Sequence, residues 1–369
     1  MKEGWEYKTL GEVAKIIHGK NQKDVLSDDG KYPIYGSGGN IMGYSKEYLC
    51  TAGTTILGRK GSINNPFFIE ENFWNVDTAF GISAKENYSS KFIFYYCKSK
   101  DWNKLNTGTT LPSLTQSVVK AQIIAVPSYD EQRRIVSYLD SSFKLIDEIK
   151  NKALKSLTEA KALFQSALAE AMEPKEGWEE KTLGEVSENI KNINWKNESS
   201  AYKYIDLSSV DRDKSIILNT VIVNKTNAPS RAKQLVNKND IIFATTRPLL
   251  RRVTLIEKEY DKSICSTGFC VIRPNSNIIV PKYVFYVFKD EPFYQYIEPL
   301  QNGASYPAVT DKAVKSYTFS FPKNVEVQKQ IVSRLDKLSS KVRAIEEKYQ
   351  KMVDECDALK QAMLRDVFE

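Results

Sequence analysis

From Asp130 to Met172 the chain carries no Gly and no Pro, and its apolar positions recur at alternating steps of four and three. The line runs Ile135, Leu139, Ser142, Ile146, Ile149, Ala153, Ser156, Ala160, Phe164, Ala167, Ala171. A second line follows near the C-terminus: Ile331, Leu335, Leu338, Val342, Ile345, Tyr349, Met352, Cys356, Leu359, Met363. A 3.5-residue period sustained over four or more heptads predicts coiled-coil helices. Ser128 and Glu131 form an S-x-x-E capping box at the start of the first, and Pro174 ends it. Each helix would be ~60 Å long at 1.5 Å per residue, and equal length favours pairing of the two within one chain, as a spacer. The rest of the chain has another texture. TTILG (54–58), AFGIS (79–83), QIIAVP (122–127), DIIFAT (240–245) and SYTFSF (316–321) read as strands between turn residues. KFIFYYCKSK (91–100) and KYVFYVFKD (282–290) read as short helices. The predicted organisation is an α/β (α+β) globular part over 1–129, a helix over 130–173, a second globular part over 174–325 and a helix over 326–369.

The two halves are copies of one frame. EGWEYKTLGEV (3–13) returns as EGWEEKTLGEV (176–186), 173 residues on. Gly108, Pro112 and Thr115 match Gly303, Pro307 and Thr310 at an offset of 195, and Gln132, Ile135, Val136, Leu139 and Asp140 match Gln328, Ile331, Val332, Leu335 and Asp336 at 196. DTAFGISAK (77–85) more weakly echoes STGFCVIRP (266–274). The growing offset means that the interior of the second half has gained about 23 residues while its borders stayed alike.

Composition narrows the chemistry. A 41% hydrophobic fraction fits a globular protein, no apolar run approaches the ~20 residues that span a bilayer, and Met1–Trp5 lacks the apolar core of a signal peptide. Cys50, Cys97, Cys265, Cys270 and Cys356 are odd in number and form no CxxC, so no disulfide framework or metal site is expected, and a reducing cytoplasm is the simplest location. The one histidine, His18, has no partner for a catalytic triad nearby in sequence and reads as structural or ligand-contacting.

Of the formal charge of +7, residues 130–173 hold −1 and 326–369 hold 0, so the basic surplus lies in the globular parts. Basic loops with Asn, Ser, Thr and aromatics suit a polyanion whose edges must be read as well as neutralised; a mildly basic protein with no such ligand is the plainer reading of charge alone. RKGSINN (59–65) leaves a predicted strand, and TTRPLLRR (245–252) is its rough counterpart. Arg grips guanine bidentately and Asn adenine. The candidate DNA contacts are therefore Arg59, Lys60, Ser62 and Asn64; Ser37 and Asn40 of YGSGGN (35–40); Thr109; and, in the second half, Thr245, Thr246, Arg247, Arg251, Arg252, Ser305 and Tyr306. Ile135, Leu139, Ile146, Ile149, Ile331, Leu335, Leu338, Val342 and Ile345 are the candidate coiled-coil and partner-docking positions.

Two motifs mislead. NNPF (64–67) is close to the N-P-P-F of adenine methyltransferases, but Asn65 stands where the first proline belongs, and YGSGGN neither follows a clear buried strand nor opens a helix. GSGG lacks the G-K-[ST] of a P-loop. No catalytic or metal-binding set is expected.

On the paired W-x-x-x-x-L-G-E-V starts, YPIYGSGGNIMGY, TILGRKGSI and the two G-x-x-x-P-x-x-T…P…Q-x-x-I-V-x-x-L-D junctions, the chain resembles, over its whole length, the specificity subunit of type I restriction–modification systems. The resemblance implies two target recognition domains, each reading one half of a bipartite asymmetric site in double-stranded DNA, and an antiparallel coiled coil that fixes the gap between them. It implies docking of two modification (methyltransferase) subunits, which carry S-adenosylmethionine, and then of restriction subunits. This chain would bind no cofactor and no membrane, and would not be an enzyme. The second half departs from the family pattern where TTRPLLRRV replaces a GRKGS-like loop. A coiled-coil scaffold that binds only proteins is the alternative; salt-dependent duplex binding separates the two.

Overall fold

The computed structural model describes residues 4–369. They form two compact units: the chain up to Lys155 together with Tyr349–Glu369, and Ser156–Lys348. Each unit holds one globular part and a half of each long helix, Tyr129–Met172 and Val325–Phe368.

The repeated frame has a local cause in both units. Thr9 accepts the Glu12 amide at 3.3 Å, while the Glu12 carboxylate accepts the Thr9 amide and hydroxyl at 2.6 and 2.7 Å. Thr182 and Glu185 repeat this at 3.2, 2.7 and 2.7 Å. The reciprocal cap turns the chain so that Leu10 and Val13, and likewise Leu183 and Val186, enter their cores fully buried. The strand before each cap, Glu6–Thr9 or Trp178–Thr182, pairs antiparallel with the last strand of its globular part, Ile123–Val126 or Thr318–Pro322. Thus TLGEV closes each globular part on itself.

Hydrogen bonds to Thr9 hold the Glu12 carboxyl below its ordinary range, and those to Thr182 do the same for Glu185. A carboxylate lowered in the folded state contributes stability above its unfolded pKa, and the contribution disappears as pH falls through the lowered value. Replacing both residues by Gln is expected to flatten the acid limb of melting temperature against pH, and to leave the limb above neutrality unchanged.

The same four-stranded sheet recurs. Ala14–His18, Ala79–Ala84, Thr54–Gly58 and Phe67–Ile69 lie in that order in the first unit; Ser187–Glu188, Phe269–Pro274, Ile241–Ala244 and Val253–Leu255 lie so in the second. Central strands TTILG and IIFA are buried throughout, which is why they read as continuous apolar runs. A smaller sheet joins each. In the first unit Ile41–Ser45, Tyr32–Tyr35 and Trp74–Asn75 form three strands, the last pair parallel. The second unit has Val221–Val223, Tyr202–Ile205 and Ser263–Ser266 in like order, and adds Ala232–Val236 as a fourth strand. Much of the sequence gained by the second half lies here. Helices Ser90–Ser99 and Pro281–Val287 pack on the larger sheets.

Matched residues at the junctions seat the long helices. Gln132, 1% exposed, accepts the Ser89 amide at 2.9 Å and donates to the Pro127 carbonyl at 3.0 Å. Gln328, fully buried, accepts the Val280 amide at 2.8 Å and donates to Pro322 and Ile278 carbonyls at 2.8 and 3.1 Å. Two turns on, Asp140 accepts Tyr95 and Lys91, and Asp336 accepts Tyr286 (2.6 Å) and Lys282 (2.9 Å).

Within the first unit the two helices run antiparallel: Asp147 pairs Lys360 at 2.5 Å and Lys150 pairs Asp357 at 2.6 Å. In the second, Glu170 meets Arg334 at 3.5 Å. The heptad reading needs correction in its detail. Leu139, Ile146, Ala153 and Ala160 are buried at steps of seven, and Leu335, Val342 and Cys356 are buried on the same seven-residue line of the C-terminal helix, though Val353 and Leu364, off that line, are buried too. Ile149 and Ile345, expected in the seam, are 49% and 40% exposed. Ile135, Ile331 and Leu338 are half-buried. The reason is that each helix also packs on a globular core. Leu139 lies among Tyr95, Tyr96 and Val119, and Leu335 among Tyr283 and Phe321. One line of side chains satisfies both neighbours, and the other line stays at the rim.

Candidate nucleic-acid interface

In the first unit three loops converge. Arg59 and Lys60 follow the buried strand Thr54–Gly58, and both amides donate to the Thr78 carbonyl, at 2.8 and 3.1 Å. Lys60 then bridges Ser113, Gly61 donates to Pro112 at 2.8 Å, and Leu114 donates to Arg59 at 2.9 Å. The 107–113 loop is thereby stitched beside 59–62. The glycine-rich turn between Tyr32–Tyr35 and Ile41–Ser45 approaches the same place: a Cβ on Gly38 would stand 3.6 Å from the Ser62 hydroxyl.

The second unit repeats the stitching with other side chains. Thr246 bridges Ala308, Arg247 donates to Pro307 at 2.6 Å, and Val309 donates to Thr245 at 3.0 Å. Pro112, Ser113 and Leu114 therefore correspond to Pro307, Ala308 and Val309 at the offset of 195. The same bonds place Arg59 opposite Thr245, Lys60 opposite Thr246, and Gly61 opposite Arg247. The glycine of each G-x-x-x-P is required because the loop folds over it. A Cβ on Gly108 would meet the Leu111 carbonyl at 2.0 Å, and one on Gly303 the Tyr306 carbonyl at 3.1 Å.

Gly61 has φ +79°, and Arg247 in the equivalent place has φ +51°. The left-handed region costs a residue with a Cβ roughly 1–2 kcal/mol, so the second unit keeps an arginine where backbone geometry favours glycine. Its guanidinium lies 4.8 Å from the ring centre of Tyr306, which is 70% exposed, and reaches the Ser305 carbonyl at 3.4 Å. The pair presents a cation stacked on an aromatic face, in the open.

Ser37 is half-buried, and Asn40, Lys60, Ser62 and Thr109 are exposed on the three loops of the first unit. Arg59 is half-buried and donates to the Asp77 carbonyl at 3.0 Å. Asn64 departs from the sequence reading: its side-chain oxygen accepts the Trp102 amide at 2.7 Å, and it lines a different cavity with Lys104 and Gln361. The NNPF stretch is thus structural, with Asn65 accepting Lys98 at 3.4 Å. Thr245 also departs, since it is 7% exposed and its hydroxyl donates to the Gly268 carbonyl at 2.9 Å. Arg251 is drawn aside by Glu291 at 2.7 Å and lies over Tyr294 at 4.1 Å. Arg252 is half-buried with its Nε enclosed, while Thr246 remains half-exposed beside Arg247. His18 is exposed, edge-on to Phe80 at 4.9 Å.

Leu111, 54% exposed, was not singled out by residue type. It is the counterpart of Tyr306 at the offset of 195, so the repeat itself carried the signal. An apolar side chain at such a loop tip can meet a thymine methyl group.

Among the described residues no group of His, Cys, Asp or Glu is placed to hold a metal, and no helix is long and apolar enough to cross a membrane. All five cysteines are free and buried.

Two α/β units, each carrying two stitched, divergent loops and seated on an antiparallel helix pair, define a duplicated recognition fold. The sequence model of the type I restriction modification DNA specificity domain matches residues 2–159 and 175–353, and the chain belongs to that family. It is 28% identical over 167 residues to the type I restriction enzyme HindI specificity subunit of Haemophilus influenzae; the match covers 45% of this chain and about a third (36%) of that relative. A solved chain from a study of complex assembly and conformational transition of the type I R-M system has the same fold, with TM-score 0.74 at 18% identity over 99% of this chain and 97% of its own. The HsdS subunit of Thermoanaerobacter tengcongensis matches at TM-score 0.52 and 18% identity, over 100% and 97%.

Proposed function

We propose that this chain is the non-catalytic, sequence-reading subunit of a type I restriction–modification complex, acting in the cytoplasm on double-stranded DNA. The observation that carries the reading is the duplicated stitching of the 59–62 and 107–113 loops, and of 245–252 and 302–309: identical backbone bonds hold side chains that differ between the units. A frame conserved in hydrogen bonding and varied in cationic, aromatic and apolar tips is what reading two different half-sites requires. Lys60, Ser62, Thr109 and Leu111 are the contacts of the first unit, and Thr246, Arg247, Ser305 and Tyr306 those of the second. The family membership, together with this geometry, favours DNA over the protein-only scaffold.

On this reading the repeated frame and the long helices dock two modification subunits, which bring S-adenosylmethionine and methylate adenine; restriction subunits join afterwards. The helices set the gap between half-sites. Coexpression with its modification subunit in a host lacking other methylases, followed by long-read methylation mapping, is the test. A split motif with a fixed gap is expected. An assembled complex that binds S-adenosylmethionine yet leaves DNA unmethylated would favour the scaffold.

A domain exchange sharpens it. Replacing residues 1–129 by another recognition domain is expected to change one half of the motif and leave the other, as mapping would read directly. Change in both halves would refute modular reading.

A further inference from the structure

The helices Ser90–Ser99 and Pro281–Val287 carry the same pattern, KFIFYYCK and KYVFYVFK, so Lys98 and Lys289 are equivalent, three residues after the tyrosines that hold Asp140 and Asp336. Each lysine lines a cavity between its globular part and the long helices of its own unit. The cavities are similar in volume, about 610 and 560 Å³, but the first is balanced in charge and the second is basic.

In the first unit three cations, Lys98, Lys144 and Lys360, face three acids, Asp140, Asp147 and Glu148. Lys360 is closed onto Asp147 at 2.5 Å. In the second unit six cations line the cavity: Lys161, Arg212, Lys214, Arg251, Lys289 and Arg343. Asp213 and Glu346 oppose them in the lining, Arg212 pairs with Asp213 at 3.7 Å, and Arg251 is held by Glu291 at 2.7 Å, which leaves Lys289 and Arg343 among the cations to be matched. Arg343 replaces Asp147 at the helix position given by the offset of 196. The Lys289 ammonium donates to the neutral Ser215 hydroxyl at 2.8 Å, and Arg343 donates to the Lys214 carbonyl at 3.2 Å. Neither has a carboxylate within ion-pair distance among the described residues, so the half-buried ammonium sits beside further cations. Enclosing a charge without an opposite partner is costly. Burial, Arg343 and Arg251 together push the Lys289 ammonium down to about 8.

We propose that this cavity of the second unit binds a small phosphorylated molecule, with its phosphate between Lys289 and Arg343 and an apolar or planar part on Phe164, Tyr286 and Val342. An ammonium and a guanidinium converging from two elements suit a dianion with several acceptor oxygens. The volume is that of a small-molecule pocket, and the aromatic floor offers a surface that inorganic anions would leave unused. Lys289 is half-buried in the lining of a concavity, whereas duplex phosphates lie on a convex rod and meet exposed cations. The site adjoins the 245–252 loop through Leu249, Leu250 and Arg251, but Lys289 and Arg343 lie outside that loop.

The test uses the full chain, with inorganic phosphate and adenosine 5′-monophosphate as probes in calorimetric titration and thermal melts, ionic strength being held with sodium chloride. Both probes are expected to bind and to raise the melting temperature, the nucleotide more tightly. Lys289→Met and, at an exposed helix position, Arg343→Gln should each weaken binding by about tenfold or more, the usual worth of a charged hydrogen bond. Lys98→Met should leave it unchanged. Absence of binding at millimolar probe, binding by both second-unit variants as tight as the parent's, or an equal loss in Lys98→Met would overturn the site. So would a result in which Lys289→Met weakens only duplex binding, since the cluster would then be a backbone contact.

Discussion

Arg247→Gly is expected to leave the stability of the protein within about 0.5 kcal/mol of the parent while lowering recognition of one half-site by ten- to a hundredfold. Two terms oppose each other in stability. Releasing a left-handed arginine gains roughly 1–2 kcal/mol, and glycine gives back up to about 1 kcal/mol through the entropy of the unfolded chain. The exposed stack on Tyr306 adds a cost of about 0.5–1 kcal/mol. These nearly cancel. Recognition has no such offset, because a well-placed arginine contact discriminates by about 1–3 kcal/mol. Arg247→Ala keeps the strained φ and loses the stack, so it should be the less stable of the two and equally poor at recognition. Thermal melts and competition with duplexes altered in one half-site check both. Loss of stability in the glycine variant, with recognition intact, would make Arg247 a structural residue.

Gln328→Leu should be strongly destabilising even though the residue is polar and lies outside the apolar cores. The substitution keeps the bulk but strands the Val280 amide and the Pro322 and Ile278 carbonyls in a site of zero exposure. Each stranded group costs about 1–3 kcal/mol, so a total of roughly 3 kcal/mol is a modest expectation. For a unit of this size that lowers the melting temperature by roughly 10 °C. Gln132→Leu loses one donor bond fewer and should cost less. Hydrogen exchange gives the local readout: the Val280 amide should lose protection in one variant and the Ser89 amide in the other. If Val280 stays protected while the protein melts early, the damage lies elsewhere in the core.

The duplication was legible because its residues act locally or carry their own geometric demand. Thr9 and Glu12 cap each other within one turn, as do Thr182 and Glu185, so the motif survives wherever the turn is needed. Gly108 and Gly303 answer to their own loops, and the Gly- and Pro-free stretches could form only long helices. Strand runs such as TTILG and IIFA announced themselves through continuous apolarity, since both faces are covered.

What side chains do at the loops and along the helices was decided by tertiary contacts, between residues far apart in the chain. Asn64 looks like a base reader until Trp102, 38 residues away, takes its oxygen; Thr245 does so until Gly268 accepts its hydroxyl. Leu111 gains meaning only through its alignment with Tyr306 once the loops are stitched. Heptad periodicity predicts a helix and an apolar face, yet Ile149 and Ile345 stay exposed because a globular core competes with the partner helix for the same stripe. Periodicity fixes the direction of a side chain around its own axis. Which neighbour that direction meets, and whether a cation such as Lys289 finds a carboxylate there, is settled by packing between distant segments.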